Sequence, residues 1–160
     1  MLVVADSSPL NFIIRLGYVD SLPRLFEAVV IPPQVAEELS QPRTPKAVRD
    51  FMARPPAWLT IRSPMHIETI LGIDPGEAAA ISLARELKAD LLLVDDREGR
   101  NAAAKRNIPV TGTIGVIERA AHRGLLDLPE AFRRLKEQPD FWVDHKLLDQ
   151  RLALFLRQKP

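Results

Sequence analysis

Two kinds of apolar pattern alternate along the chain. Short unbroken runs occur at Leu2-Val3-Val4-Ala5, Ala28-Val29-Val30-Ile31 and Leu91-Leu92-Leu93-Val94. They read as strands buried on both faces, because a strand with one wet face alternates apolar with polar. Between them, apolar residues recur every three or four positions, as they do along one side of a helix. Leu10, Ile13 and Ile14 mark a first helix, opened by Ser8-Pro9 and closed by Gly17. Serine suits the cap, and proline suits the first helical position, where no amide partner is needed. Short helices are predicted from Asp20 to Phe26 and from Pro33 to Leu39, and another from Lys46 to Ala53, stopped by Pro55-Pro56. Trp58 to Arg62 alternates like an edge strand, whereas residues 67–72 give no clear pattern. An alanine-rich helix follows Asp74-Pro75-Gly76-Glu77 as far as Lys88, and a basic helix runs from Arg97 to Arg106. Ile108 to Val110 is a further strand, Ile114 to His122 a helix, and Pro129 to Glu137 and His145 to Arg157 two closing helices. Strands that alternate with helices predict an α/β fold, with helices on both faces of a mostly parallel sheet of four to five strands. A length of 160 residues predicts one domain, with residues 124–160 as a C-terminal helical extension.

Composition narrows the chemistry. There is no cysteine, which removes disulfides and thiolate metal sites and fits a reducing cytoplasm. No apolar run approaches the ~18 residues of a membrane span. The first strand begins at residue 2, so no signal peptide is expected and a cytoplasmic location is. A net charge of +1 does not argue against nucleic acid, because an acidic pocket with a basic rim sums to near zero. His66, His122 and His145 are scattered without metal spacing, and there is no nucleophile elbow, Walker loop or dinucleotide fingerprint. Carboxylates remain.

The acids stand where open parallel sheets hold their ligands, beyond the carboxyl ends of strands. Asp6 ends the first strand, and the neighbouring Ser7 and Ser8 can cap the helix, so the acid is surplus to capping. Glu38 lies about 60° from Val35 around its helix and about 100° from Leu39, whereas Glu37 lies about 160° from both. Glu38 therefore flanks the buried side, as a ligand or as a salt-bridging rim residue. Glu77 fits a capping box with Asp74, so it reads either as a cap or as a ligand. Asp95-Asp96 at the end of the central strand is more than capping needs, and at least one is free for function. Carboxylates packed together ionise only beside a positive charge, and the natural partner is a hard divalent cation, Mg²⁺ or Mn²⁺.

Taken in order, these motifs resemble the PIN-domain family of metal-dependent ribonucleases over about residues 1 to 120. The resemblance rests on Asp6-Ser7-Ser8, Ile31-Pro32-Pro33-Gln34-Val35-Ala36-Glu37-Glu38-Leu39, Gly76-Glu77-Ala78-Ala79-Ala80, Leu92-Leu93-Val94-Asp95-Asp96-Arg97 and Pro109-Val110-Thr111-Gly112-Thr113. It implies a PIN-like α/β/α sandwich and a metal-dependent endoribonuclease that leaves a 5′-phosphate and a 3′-hydroxyl. By the same resemblance Asp6, Glu38, Glu77 and Asp96 carry the metal, with Asp95 beside them, and Ser7 and Thr113 orient phosphate or a ligand carboxylate. The third acid is often aspartate in the family; Glu77 is one methylene longer. RNA would be held by Arg97 and Arg100, with Lys105, Arg106, Arg43 and Lys46 as further candidates. Many prokaryotic members are toxins paired with an antitoxin, so a cognate antitoxin and a homodimer are expected, and no membrane. The alternative is a catalytically weak PIN-like module that binds RNA or a protein partner. The apolar stripe Leu147, Leu148, Leu152, Phe155, Leu156 is expected to pack on the domain.

Overall fold

The computed structural model describes residues 1–158. Five strands form one sheet: β1 (Leu2–Ala5), β2 (Ala28–Ile31), β3 (Leu59–Ile61), β4 (Leu91–Leu93) and β5 (Val110–Thr111). Their order is β3-β2-β1-β4-β5, and every pairing is parallel. The unbroken apolar runs thus belong to the three inner strands. β1, in the middle, pairs with a strand 26 residues away and with another about 90 residues away (Leu2 with Ala28, Val3 with Leu91).

Odd and even positions of β1 enter different cores. Val3 and Ala5 join Val29, Ile31, Leu91 and Leu93 on one face, against Leu10, Ile13 and Ile14 of α1 (Ser7–Leu16), Val35 and Leu39 of α3 (Pro33–Leu39) and Val48 of α4 (Lys46–Ala53). Val4 joins Val30 and Leu92 on the other, against Ala80, Ile81 and Ala84 of α5 (Pro75–Glu86) and Ala102 and Ala103 of α6 (Arg97–Ala104). This is the period-two alternation of strands buried on both sides. The alanines let α5 lie close on the sheet. Between α1 and β2, a 3₁₀ turn (Val19–Ser21) runs into the short α2 (Leu22–Leu25), where the sequence predicts one helix.

β5 begins two residues later than predicted. Asn107 has a left-handed φ of 59° and the Ile108 amide still bonds to Ala103, so these residues close α6 before pairing starts. Residues 62–74 form a loop, tied down by Glu68, whose carboxylate takes two bonds from Arg106 at 2.9 and 2.7 Å.

The chain divides into two compact units, residues 1–116 and residue 117 onward. In the second, α8 (Leu128–Lys136) buries Leu128, Ala131, Phe132 and Leu135 and packs with α9 (His145–Gln158). The apolar stripe of α9 is split. Leu148 is fully buried, whereas Leu147 and Leu156 are exposed. No helix among the described residues is long and apolar enough to cross a membrane.

Candidate active site

All five strands end at the same edge, and the acids gather there. Asp6 follows β1 directly. It occupies the N-cap position of α1, yet its side chain makes no capping bond. Only 4% of it is exposed, and Oδ1 is buried without a hydrogen-bond partner. Burial, above all, pushes the Asp6 carboxyl up to about 7. The charges of Asp74, Glu38 and Asp95 push the same way, opposed by one backbone N–H from Ser7.

α5 begins beside it. Asp74 caps this helix, its Oδ1 accepting the Glu77 N–H at 2.8 Å. The reciprocal half of a capping box, from the Asp74 amide to the Glu77 carboxylate, is absent among the described residues. Glu77 is instead buried among the acids. Burial first, then the charges of Asp6, Asp74, Asp96 and Glu38, push its carboxyl up to about 8. Asp74 thus does the capping, and Glu77 lies among the acids. Asp74 is an acid of the site that the sequence reading counted only as a cap. The signal was present, since a cap three residues before a site glutamate stands one helical turn from it.

Glu38 reaches the same place from α3, which packs on α5. A β-carbon at Gly76 would stand 3.4 Å from both Glu38 Oε2 and Asp74 Oδ1. The bare glycine therefore leaves the acids room to approach.

The two aspartates after β4 divide their work. Asp96 caps α6, its Oδ2 accepting the Gly99 N–H at 3.1 Å, and it is exposed toward the cluster. Asp95 spends both oxygens on protein donors. Oδ2 takes the hydroxyls of Ser8 and Thr113, each at 2.7 Å, and Oδ1 takes the Thr113 N–H at 2.7 Å. Charge-assisted bonds of this length are the strong kind. Asp95 thereby ties the first turn of α1 to that of α7 (Thr113–His122). Thr113 is fully buried, and a β-carbon at Gly112 would lie 2.5 Å from Asp95 Oδ1. Ser8, expected as a helix cap, serves Asp95 instead.

Arg97 and Arg100 stand exposed on the first turns of α6, and neither guanidinium has a partner among the described residues. Arg106 is committed to Glu68, and Lys46 to Asp50 at 2.6 Å. Lys105 sits at the far end of α6, roughly 12 Å along the axis.

A family model described as "DUF3368: PIN domain" matches residues 2–156. The chain belongs to the PIN-domain family. Its fold is also that of a solved PilT N-terminus domain protein, SSO1118 from the hyperthermophilic archaeon Sulfolobus solfataricus P2. That match has a TM-score of 0.53 and 18% identity over 76% of this chain and 92% of the other. No curated protein matches. PIN domains are generally nucleases and typically depend on divalent metal.

The residues of this PIN domain suit such a cation. They offer hard oxygen donors, one of them a buried carboxylate oxygen with nothing bound to it, in a cluster where burial first and the neighbouring acids second raise the Asp6 and Glu77 carboxyls to about 7 and about 8. They do not form a finished cage, since among the described residues no three acids or histidines converge at ligating distance. A hollow of about 740 Å³ in the second unit is lined by Leu125, Leu126, Phe155 and Leu156 among others and contains one acid, Asp127.

Proposed function

We propose that this PIN domain is a Mg²⁺- or Mn²⁺-dependent endoribonuclease. The observation that carries the reading is the Asp6 carboxylate, buried with its Oδ1 unpartnered at the strand ends among Glu38, Glu77 and Asp96. Those four carboxylates would hold the metal. When bound, the metal supplies activation of a water and charge stabilisation at the phosphodiester. Asp6, directly after the central strand, is the most buried of the four. Glu77 brings an arm long enough to adjust, and Asp96 holds its position through the Gly99 N–H. Asp95 braces the turns behind them. Arg97 and Arg100 supply cations for the RNA backbone.

Incubation of the purified protein with mixed RNA, in Mg²⁺, Mn²⁺ or EDTA and beside Asp6→Asn, tests the reading. Metal-dependent cleavage that the substitution abolishes is expected. Cleavage that survives Asp6→Asn refutes it.

The absence of three converging ligands favours one second reading, a catalytically weak module that binds RNA or a protein. Calorimetric titration with Mn²⁺ separates the two, since a module shows no carboxylate-dependent site. We further propose that the protein is the toxin of a toxin–antitoxin pair and forms a homodimer. Co-purification with the product of the adjacent reading frame tests the first, and sedimentation the second.

A further inference from the structure

The registers of the sheet define one row across its carboxyl edge. Val4 pairs with Val30, and Val30 with Thr60. Two residues further along each strand stand Asp6, Pro32 and Arg62. The row persists past the end of β3, because the Arg62 N–H donates to the Ile31 carbonyl at 2.9 Å. Side chains of parallel strands in register alternate together. Asp6 and Arg62 therefore belong to the same face as Val4 and Val30, the face that α5 covers with Ala80 and Ile81 and on which it carries Glu77. Two strand spacings put the backbone of Arg62 about 10 Å from that of Asp6.

Several cations of this protein are held by acids. Arg106 and Arg85 are tied to Glu68, Arg133 and Arg134 to Glu130, and Arg151 to Glu118. Arg62, Arg97 and Arg100 are exposed and lack side-chain partners among the described residues, and all three follow strands that end at the acid-bearing edge. Acids thus fill the middle of the edge, and unneutralised guanidinium groups stand on both flanks. Arg97 and Arg100 lie beyond β4 on one side, and Arg62 lies at β3 on the other.

We infer that Arg62 is a phosphate-binding residue for a single-stranded RNA lying across the strand ends, perpendicular to the strands. The inference rests on the proposed ribonuclease reading and extends its binding surface to the far side of the acids. A guanidinium suits the role, being permanently charged and able to grip a phosphate through two parallel N–H bonds. Its distance from Asp6 places it on a neighbouring phosphate and not on the scissile one, so it contributes to binding and leaves the chemical step alone.

Binding of a labelled single-stranded RNA 15-mer, followed by fluorescence anisotropy in EDTA from 50 to 200 mM KCl, tests this without cleavage. Each phosphate contact on a single strand contributes about 0.7 to the slope of log affinity against log salt. Arg62→Ala is expected to lower that slope by about 0.7 and weaken binding roughly three- to tenfold. Arg62→Lys restores most of the slope. Arg54→Ala, an exposed arginine five residues before β3 and so toward the opposite edge of the sheet, changes neither. With Mn²⁺ present, Arg62→Ala raises KM and leaves kcat within about twofold. A wild-type slope in Arg62→Ala overturns the assignment and leaves the ribonuclease reading standing. A wild-type protein with no salt-dependent RNA binding overturns both.

Discussion

Replacing the site's central acid ought to make the metal-free protein more stable. Asp6 is almost fully buried, and its carboxyl is raised from 3.8 to about 7. The folded chain therefore keeps this proton to a higher pH than the unfolded chain does. Between about pH 4 and pH 7 the folded state binds more protons, so stability falls as pH rises through that window and levels off above it. The shift spans about three pH units at about 1.4 kcal/mol each, roughly 4 kcal/mol at pH 8 and below about 1 kcal/mol at pH 4. Asp6→Asn removes the charge and keeps an acceptor for the Ser7 N–H. It also relieves Glu77, which feels the Asp6 charge. Urea unfolding in EDTA is expected to show the variant about 2–4 kcal/mol more stable than wild type at pH 8 and within about 1 kcal/mol at pH 4, with an unchanged denaturant slope. Added Mg²⁺ or Mn²⁺ then raises the wild-type midpoint and moves the variant little, because a ligand stabilises only the state that binds it. A variant no more stable than wild type at pH 8, or offset equally at both pH values, would refute the account of Asp6 as a buried, uncompensated charge.

Three further outcomes are expected. Thr113→Val removes one of two hydroxyls from Asp95 at a fully buried residue; it should cost about 1–2 kcal/mol by chemical denaturation, with Thr113→Ser recovering most of it. Gly112→Ala drives a β-carbon to within 2.5 Å of Asp95 Oδ1, so a loss of about 2–3 kcal/mol is expected, and an unchanged melting temperature would mean that Asp95 leaves its three donors at no cost. Arg106→Ala removes the two short bonds to the Glu68 carboxylate and leaves it only Arg85 at 3.7 Å, and a chymotrypsin-type protease should then cut near Met65 or Leu71 faster, with little change in the global midpoint.

The inner strands were legible because burial on both faces leaves nothing polar to interrupt the apolar run. The edges were less so. β5 is two residues long, and its start depends on how α6 ends, with Asn107 left-handed and Ile108 bonded backward. Asp6, Glu38, Glu77 and Asp96 were readable as acids at strand ends and helix starts, which is a local pattern. Partners across the sheet were not. The engagement of Asp95 depends on a serine 87 residues away. The position of Arg62 beside the acids emerges only from two registers taken together, which no periodicity along the chain contains.

The position of β1 in the sheet has a consequence for how the protein is made. β1 leaves the ribosome before the other four strands of the sheet and gains β2 as a neighbour early, but its other side waits for Leu91 to Leu93. During that interval a nascent chain carries Val3, Val4 and Ala5 on a strand with one bare edge, an open template for pairing with other chains. Closing a loop of about 90 residues is also slow, because ordering is lost before any contact repays it. Asp6 and Asp96 cannot meet until that closure is complete. A half-made chain is therefore at once the form most prone to aggregate and a form with no assembled cluster. The acid cluster is complete only once synthesis has passed β4.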